Sequence, residues 1–390
     1  MTPSRPSVSI SLPPSKSISA RALIINALAA TPCPLQNLSA CDDTRALQSV
    51  LAGGSDVGAA GTAMRFATAL LAATPGCERT LTGSPRMLQR PIAPLVDSLR
   101  ALGADIEYAG QEGYPPLHIR GRQLRGGVLS VPASVSSQYV SALMMIAPTL
   151  SGALTLRLEG PIASRPYIEM TRAMMQEWGA EAAWQDDHTL YIITHTYARE
   201  APYVIEPDWS AASYFLVADR SAQFPGLRRP SIQGDSIIVS LLQQLDALAG
   251  TFDVLHLDFS SCPDLAQTMV VAACLAGQPF RFTGLESLRI KETDRIAALT
   301  AECAKFGWRL SEPAPATLAW DGVCLPAAED IVVSTYADHR MAMAFAPCLL
   351  RYPFVTFDHP EVVSKSFPSF WQEFSPLLTP PLGERPESGE

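Results

Sequence analysis

Cations are scarce in this 390-residue chain: 29 Lys and Arg face 38 Asp and Glu, a formal net charge of −9. That balance argues against nucleic-acid and membrane-surface binders, which need a basic face. The longest apolar runs, such as Ala22 to Ala30, fall well short of a membrane span, and Met1 to Pro6 contains no apolar signal core. The eight cysteines are scattered, with no C-x-x-C pair and no Cys/His spacing suited to a metal. Reduced thiols and no metal site are therefore expected, and with them a soluble cytoplasmic protein. Charged residues make up only 17% against 47% hydrophobic, which excludes general disorder and, at this length, predicts two globular domains. Pro380 to Glu390, rich in Pro, Gly and Glu, reads as a frayed tail.

What is present is repetition. Six segments, beginning near Leu35, Thr80, Leu154, Leu227, Phe280 and Phe354, each read as a short strand, a turn that is often basic, and an amphipathic helix. Gly103, Gly179 and Gly307 fall where the helix ends want a glycine cap. A second set interleaves with the first: Ser15 to Ala30, Gly61 to Ala73, Ser136 to Leu150, Trp209 to Ala218, Asp264 to Ala276 and Asp338 to Leu350. Each opens on polar residues and continues in Ala, Met, Leu and Val, the pattern of a helix buried on every side. The expectation is an α/β fold of repeated units, three per domain, with polar helix starts converging on a cleft. His195 to Pro207, with Pro202 and Pro207, reads as the crossover between domains.

The densest charge lies in Leu288-Arg289-Ile290-Lys291-Glu292-Thr293-Asp294-Arg295, read as the opening turn of a helix that follows the strand Phe280 to Thr283. Such a run is either a solvated helix start or an anion site reinforced by free N–H groups and the helix dipole. Further polar helix starts occur at Ser15-Lys16-Ser17 through Arg21, Ser136-Ser137-Gln138, Asp338-His339-Arg340 and Ser364-Lys365-Ser366. Hydroxyls at one helix start are usually caps. Several such starts in an acidic chain point instead to a site that gathers the few cations around an anion.

These segments resemble, in order and over almost the whole chain, the signature motifs of the enolpyruvyl transferases, on the branch that acts on shikimate 3-phosphate. The matching stretches are Leu12-Pro13-Pro14-Ser15-Lys16-Ser17 through Arg21, Ala60-Gly61-Thr62-Ala63-Met64-Arg65, Pro85-Arg86-Met87 through Arg90-Pro91-Ile92, Arg289 to Arg295, Asp338 to Met343 and Lys365 to Pro368. The resemblance implies transfer of the enolpyruvyl group of phosphoenolpyruvate to the 5-hydroxyl of shikimate 3-phosphate with release of phosphate, without metal or organic cofactor. It also implies two domains, each of three βαβαββ-like units around a pseudo-threefold axis. The first, discontinuous domain would take residues 1–14 plus 205–390 and the second 15–204, with the active site in the cleft between them. A monomer is expected, with the two substrates as partners, and neither nucleic acid nor membrane.

Carried over by motif, Lys16, Ser17, Arg21, Ser136, Ser137, Gln138, Ser164, Asp264, Ser287 and Lys291 would hold shikimate 3-phosphate. Ser17 and Arg21 would take its carboxylate, and Ser136, Ser137 and Ser164 its phosphate. Lys16, Gly61, Arg90, Gln138 and Lys365 would surround the phosphate of phosphoenolpyruvate, and Arg295 and Arg340 would clamp its carboxylate. Asp264 would act as base on the 5-hydroxyl and Glu292 as acid for the methylene carbon, with Lys16 the third catalytic group. The chain departs from the family pattern at Ala59 (usually Asn), Phe66 (usually Pro), Ser287 (commonly Asn) and Pro14 (usually Gly). Retention of Gly61 implies sensitivity to glyphosate. The sister family acting on a UDP-linked aminosugar carries a reactive Cys where this loop reads Gly83-Ser84-Pro85-Arg86. A non-catalytic anion-binding relative is the other alternative.

Overall fold

The computed structural model describes residues 8–133 and 136–378, so Met1 to Pro6 and the tail from Pro380 lie outside the described residues. Among the described residues twelve α-helices run in six successive pairs. They are α1 (Lys16–Leu28) and α2 (Asp42–Leu51), α3 (Gly61–Ala72) and α4 (Ala93–Ala101), α5 (Ser137–Ile146) and α6 (Arg165–Glu177), α7 (Trp209–Ala218) and α8 (Ile238–Ala247), α9 (Ala266–Ala276) and α10 (Arg295–Lys305), and α11 (His339–Phe345) and α12 (Phe370–Leu378). The first helix of each pair is the apolar one. In α3 every residue but Thr62 is buried, and α9 is buried from Ala266 to Cys274. Helices this apolar can only pack inside, and they form two separate cores. One runs from Ile18 to Ile205. The other joins Ile10 and Leu12 to residues from Trp209 to Leu377.

The second helices α4, α6 and α8 pack against strands, and two of the sheets repeat one topology. Arg125–Pro132, Ser151–Glu159, Thr189–Ile192 and Ala182–Trp184 are neighbours in that order, the first pair parallel and the others antiparallel. Leu255–Asp258, Phe280–Thr283, Thr317–Trp320 and Ser311–Ala314 repeat it. A third sheet, Glu78–Leu81, Leu117–Arg120 and Asp105–Tyr108, has a single parallel bridge from Asp56 to Thr82 in place of its first strand. Gly103, Gly179 and Gly307 close α4, α6 and α10 with φ of +98°, +84° and +81°, a backbone that side chains resist.

Two local expectations are corrected. No strand forms at Leu227: Pro225, Gly226 and Pro230 break the run, Leu227 N–H closes a turn on Phe224 O, and the only ladder contact there is the bridge from Ser9 to Gln223. The Lys291 cluster does not open a helix. Glu286–Ile290 is a 3-10 turn, 291–294 is irregular, and α10 starts at Arg295 because the Asp294 carboxylate accepts from Ile296 N and Ala297 N, both at 3.1 Å. Asp294 is thus an N-cap, stabilising the helix by about 1 kcal/mol.

The chain passes between the cores twice, side by side. Ser15 N donates to Glu206 O at 2.8 Å and Asp208 N to Pro13 O at 2.9 Å. The two halves also touch away from this crossing: Ser164 N donates to Ser260 O at 2.9 Å, and Ser364 Oγ to Asp42 Oδ2 at 2.6 Å. Side chains from both halves therefore face one cleft.

Candidate active site

Helix starts bring the cations to the cleft. Lys16 is the first residue of α1, Gly61 of α3 and Arg295 of α10; Ser136 caps α5, Ser164 precedes α6 and Arg340 is the second residue of α11. One cavity is lined by Lys16, Ser17, Arg21, Gly61, Arg90, Ser136, Ser137, Gln138, Ser164, Asp264, Ser287, Lys291, Glu292, Arg295 and Arg340. Lys365, the remaining residue expected from sequence, meets the cavity wall through Glu292.

Two carboxylates and three cations alternate at its floor. Asp264 accepts from Arg340 Nη2 at 2.9 Å through Oδ2 and from Arg295 Nη1 at 3.2 Å through Oδ1. Arg295 continues to Glu292 Oε2 at 3.1 Å, and Glu292 Oε1 takes Lys365 Nζ at 2.8 Å. Behind them Asp338 holds Arg295 by Nε at 2.7 Å and Nη2 at 3.2 Å, a bidentate fork that fixes the guanidinium plane. Asp338 also caps α11 by accepting from Arg340 N at 3.0 Å.

Burial alone would push both carboxyls up, but their neighbours win. Arg340, Lys291 and Arg295 hold Asp264 well below the usual carboxylate range. Lys365, Arg295 and Arg90 do the same for Glu292. Both are ionised in this arrangement. Burial also opposes the charge of Lys16, yet Asp43, 2.9 Å from Nζ, holds the ammonium above its ordinary pKa. Lys291 differs. Burial moves its pKa down against the pull of Asp264, and among the described residues its Nζ has no hydrogen-bond or ion-pair partner. It is the cation that can most readily meet a new acceptor.

The wall opposite is neutral and rich in donors. Ser136 Oγ accepts from Gln138 N at 3.2 Å, Gln138 Nε2 donates to Thr62 Oγ1 at 3.2 Å, and Ser137 and Ser164 are buried beside them. Ser164 sits in left-handed backbone at φ +54°. Gly61 leaves room for two guanidiniums: a Cβ there would lie 2.6 Å from Arg65 Nη1 and 2.8 Å from Arg90 Nη1, so both would have to move.

Sequence reasoning missed Asp43, Thr62, Arg65, Tyr139, Tyr167 and His339, all in the cavity wall. Tyr167 OH donates to Asp264 Oδ2 at 3.1 Å across the cleft, and burial, then Asp235 and Asp264, hold its phenol protonated. His339 is neutral because burial, with Lys16 and Arg340, depresses its pKa. The only local signals were adjacency: Tyr167 follows the Arg165-Pro166 turn, and His339 sits between Asp338 and Arg340. Asp43 is one of two acids in the first turn of α2, where it also suits the helix dipole.

A family model described as EPSP synthase (3-phosphoshikimate 1-carboxyvinyltransferase) matches residues 2–53 and 52–374. A 3-phosphoshikimate 1-carboxyvinyltransferase of Bacteroides fragilis strain YCH46 is 47% identical over 392 residues, covering 95% of each chain. The one of Shewanella halifaxensis is 34% identical over 415 residues, covering 94% of this chain and 96% of the other. An EPSP synthase structure from Acinetobacter baumannii superposes with a TM-score of 0.73 at 18% identity, covering 95% of each chain, which is a likeness of fold.

Proposed function

The chain belongs to the EPSP synthase family, and on that premise we propose that the cleft between its halves is the site of catalysis, with the residues above in the roles that follow. The protein is a 3-phosphoshikimate 1-carboxyvinyltransferase of aromatic amino acid biosynthesis. It moves the enolpyruvyl group of phosphoenolpyruvate to the 5-hydroxyl of shikimate 3-phosphate and releases phosphate. The observation that carries the residue reading is the alternation Arg340, Asp264, Arg295, Glu292, Lys365 at the meeting of the two halves.

Addition of an alcohol across the enol phosphate needs a proton delivered to C3 and one removed from the attacking hydroxyl; loss of phosphate from the tetrahedral intermediate takes a proton back from C3 and gives one to the departing phosphate. Asp264 is the base and Glu292 the acid in this reading. Both are held ionised by cations that also suit the substrate's own charges. A carboxylate arriving on Arg295 and Arg340 competes with Asp264 for them, and a phosphate arriving on Lys365 and Arg90 competes with Glu292. Each arrival therefore raises the proton affinity of the carboxyl it displaces, which readies Asp264 to accept a proton from the hydroxyl and lets Glu292 take up from solvent the proton it then delivers. Lys16, kept cationic by Asp43, sits where it can neutralise the departing phosphate.

Ser17 and Arg21 take the shikimate carboxylate, Ser136, Ser137 and Ser164 the 3-phosphate, and Ser287 and Lys291 the ring hydroxyls. Residues 15–204 and 1–14 plus 205–390 act as the two domains, closing over both substrates and excluding water. Ligands for both substrates come from one chain, which supports action as a monomer. The eight free thiols support a reducing, cytoplasmic setting. Phosphate release with phosphoenolpyruvate plus either shikimate 3-phosphate or a UDP-linked aminosugar tests the reading: turnover only with the aminosugar would overturn it.

A further inference from the structure

Phe66, where the family usually carries proline, is fully buried on α3, and its ring centroid lies 5.4 Å from Cζ of Arg21. The ring of Tyr167 lies 5.7 Å from the same carbon. Arg21 is itself only 2% exposed, and no salt bridge reaches it among the described residues. Its acceptors are all neutral: Thr171 Oγ1 at 2.7 Å from Nε, Ser17 O at 3.0 Å from Nη1, and Ser141 Oγ and Tyr167 O, each 3.2 Å from Nη2. A guanidinium carries five N–H groups. Four are engaged here, leaving one on Nη1 of a residue that lines the cleft.

A buried cation without a carboxylate partner is held by dipoles and ring quadrupoles alone. We propose that Phe66 is a positioning residue for shikimate 3-phosphate: its ring face holds the Arg21 charge in place, so that the remaining N–H meets the substrate's carboxylate. This rests on the assignment of that carboxylate to Arg21. A leucine would fill much of the same space but would supply no quadrupole. The effect belongs to one substrate, because none of the hydrogen bonds of Arg21 among the described residues reaches the Arg295, Arg340 and Lys365 cluster assigned to phosphoenolpyruvate.

The test replaces Phe66 in the full-length protein with 4-fluoro-, 3,5-difluoro- and pentafluorophenylalanine, which weaken the ring quadrupole at nearly constant shape. KM for shikimate 3-phosphate is expected to rise along the series, reaching about 10-fold with pentafluorophenylalanine, while KM for phosphoenolpyruvate and Tm hold. Arg21→Met is measured alongside, and Phe66→Leu in both the natural and the Arg21→Met backgrounds. In the second background the leucine should add nothing to KM. A flat fluorine series with a raised KM in Arg21→Met overturns the role of Phe66 and leaves Arg21 in place. An unchanged KM in Arg21→Met overturns the assignment of Arg21, and the inference with it.

Discussion

Gly61→Ala gives a sharp separation between binding and folding. Gly61 is the first residue of α3 and has helical backbone, so alanine is acceptable there and should itself stabilise the helix by about 0.5–1 kcal/mol. The added Cβ, however, would stand 2.6 Å from Arg65 Nη1 and 2.8 Å and 3.0 Å from Arg90 Nη1 and Cζ. Arg65 is tethered, donating to Gly61 O at 2.9 Å with its guanidinium 5.5 Å from the Tyr139 ring centroid. Arg90 is looser, with Glu292 4.0 Å away and its Nε without a partner. Both guanidiniums therefore yield by several tenths of an ångström, Arg90 the more freely and away from the place assigned to the phosphate of phosphoenolpyruvate. A charge-assisted hydrogen bond contributes about 1.5–3 kcal/mol, and stretching rather than losing it should raise KM for phosphoenolpyruvate about tenfold. Steady-state kinetics with each substrate varied in turn should show KM for shikimate 3-phosphate within about twofold, and thermal melting should show Tm unchanged or slightly raised. The same Cβ would crowd the phosphonate of glyphosate, so the natural protein should be inhibited and the variant resistant. Equal rises in both KM values, or a natural enzyme indifferent to glyphosate, would refute the reasoning.

Other outcomes follow from the charge network. Lys365→Met removes the closest cation on Glu292 and should raise KM for phosphoenolpyruvate by about tenfold or more; an unchanged value would detach Lys365 from that substrate. Ser287→Asn restores the family's commoner amide and should lower KM for shikimate 3-phosphate by about 2- to 10-fold, whereas a rise would show the shorter side chain to be required here. Stability should also follow pH in a defined direction. Because Asp264 and Glu292 have depressed folded-state pKa values, their contribution is present above about pH 4 and is lost as the pH falls from there toward those values. The Tm difference between the natural protein and Asp264→Asn should thus be flat from pH 8 to about pH 5 and change only below it. A change centred near neutrality would contradict the assigned ionisation.

The buried helices were the most legible part of the fold. Gly61 to Ala73 and Asp264 to Ala276 are so uniformly apolar behind polar starts that no exposed packing suits them, and α3 and α9 fall where that pattern puts them. Leu227 misled because the strand signal of a short apolar run says nothing about prolines removing its ladder donors. The start of α10 was read too early, since charges at 291–294 resemble a first turn, while the cap geometry that excludes them depends on where one carboxylate points. In the cavity wall, every cation but Arg65 was visible because an acidic chain rarely gathers them. Asp43, Tyr167 and His339 were not, because each acquires its surroundings only when other elements arrive: Asp43 the ammonium of Lys16 from α1, Tyr167 the carboxylate of Asp264 from the turn before α9, and His339 the burial and nearby charges of Lys16 and Lys365.

Asp264 is the residue on which the account turns. Its replacement by alanine leaves Arg340 without a carboxylate partner, so folding is checked first by melting, and substrate binding by calorimetry with shikimate 3-phosphate. Phosphate release with both substrates saturating then decides. The account predicts that Asp264→Ala binds shikimate 3-phosphate yet turns over roughly 10²-fold or more slowly. A folded variant releasing phosphate at the natural rate would contradict it.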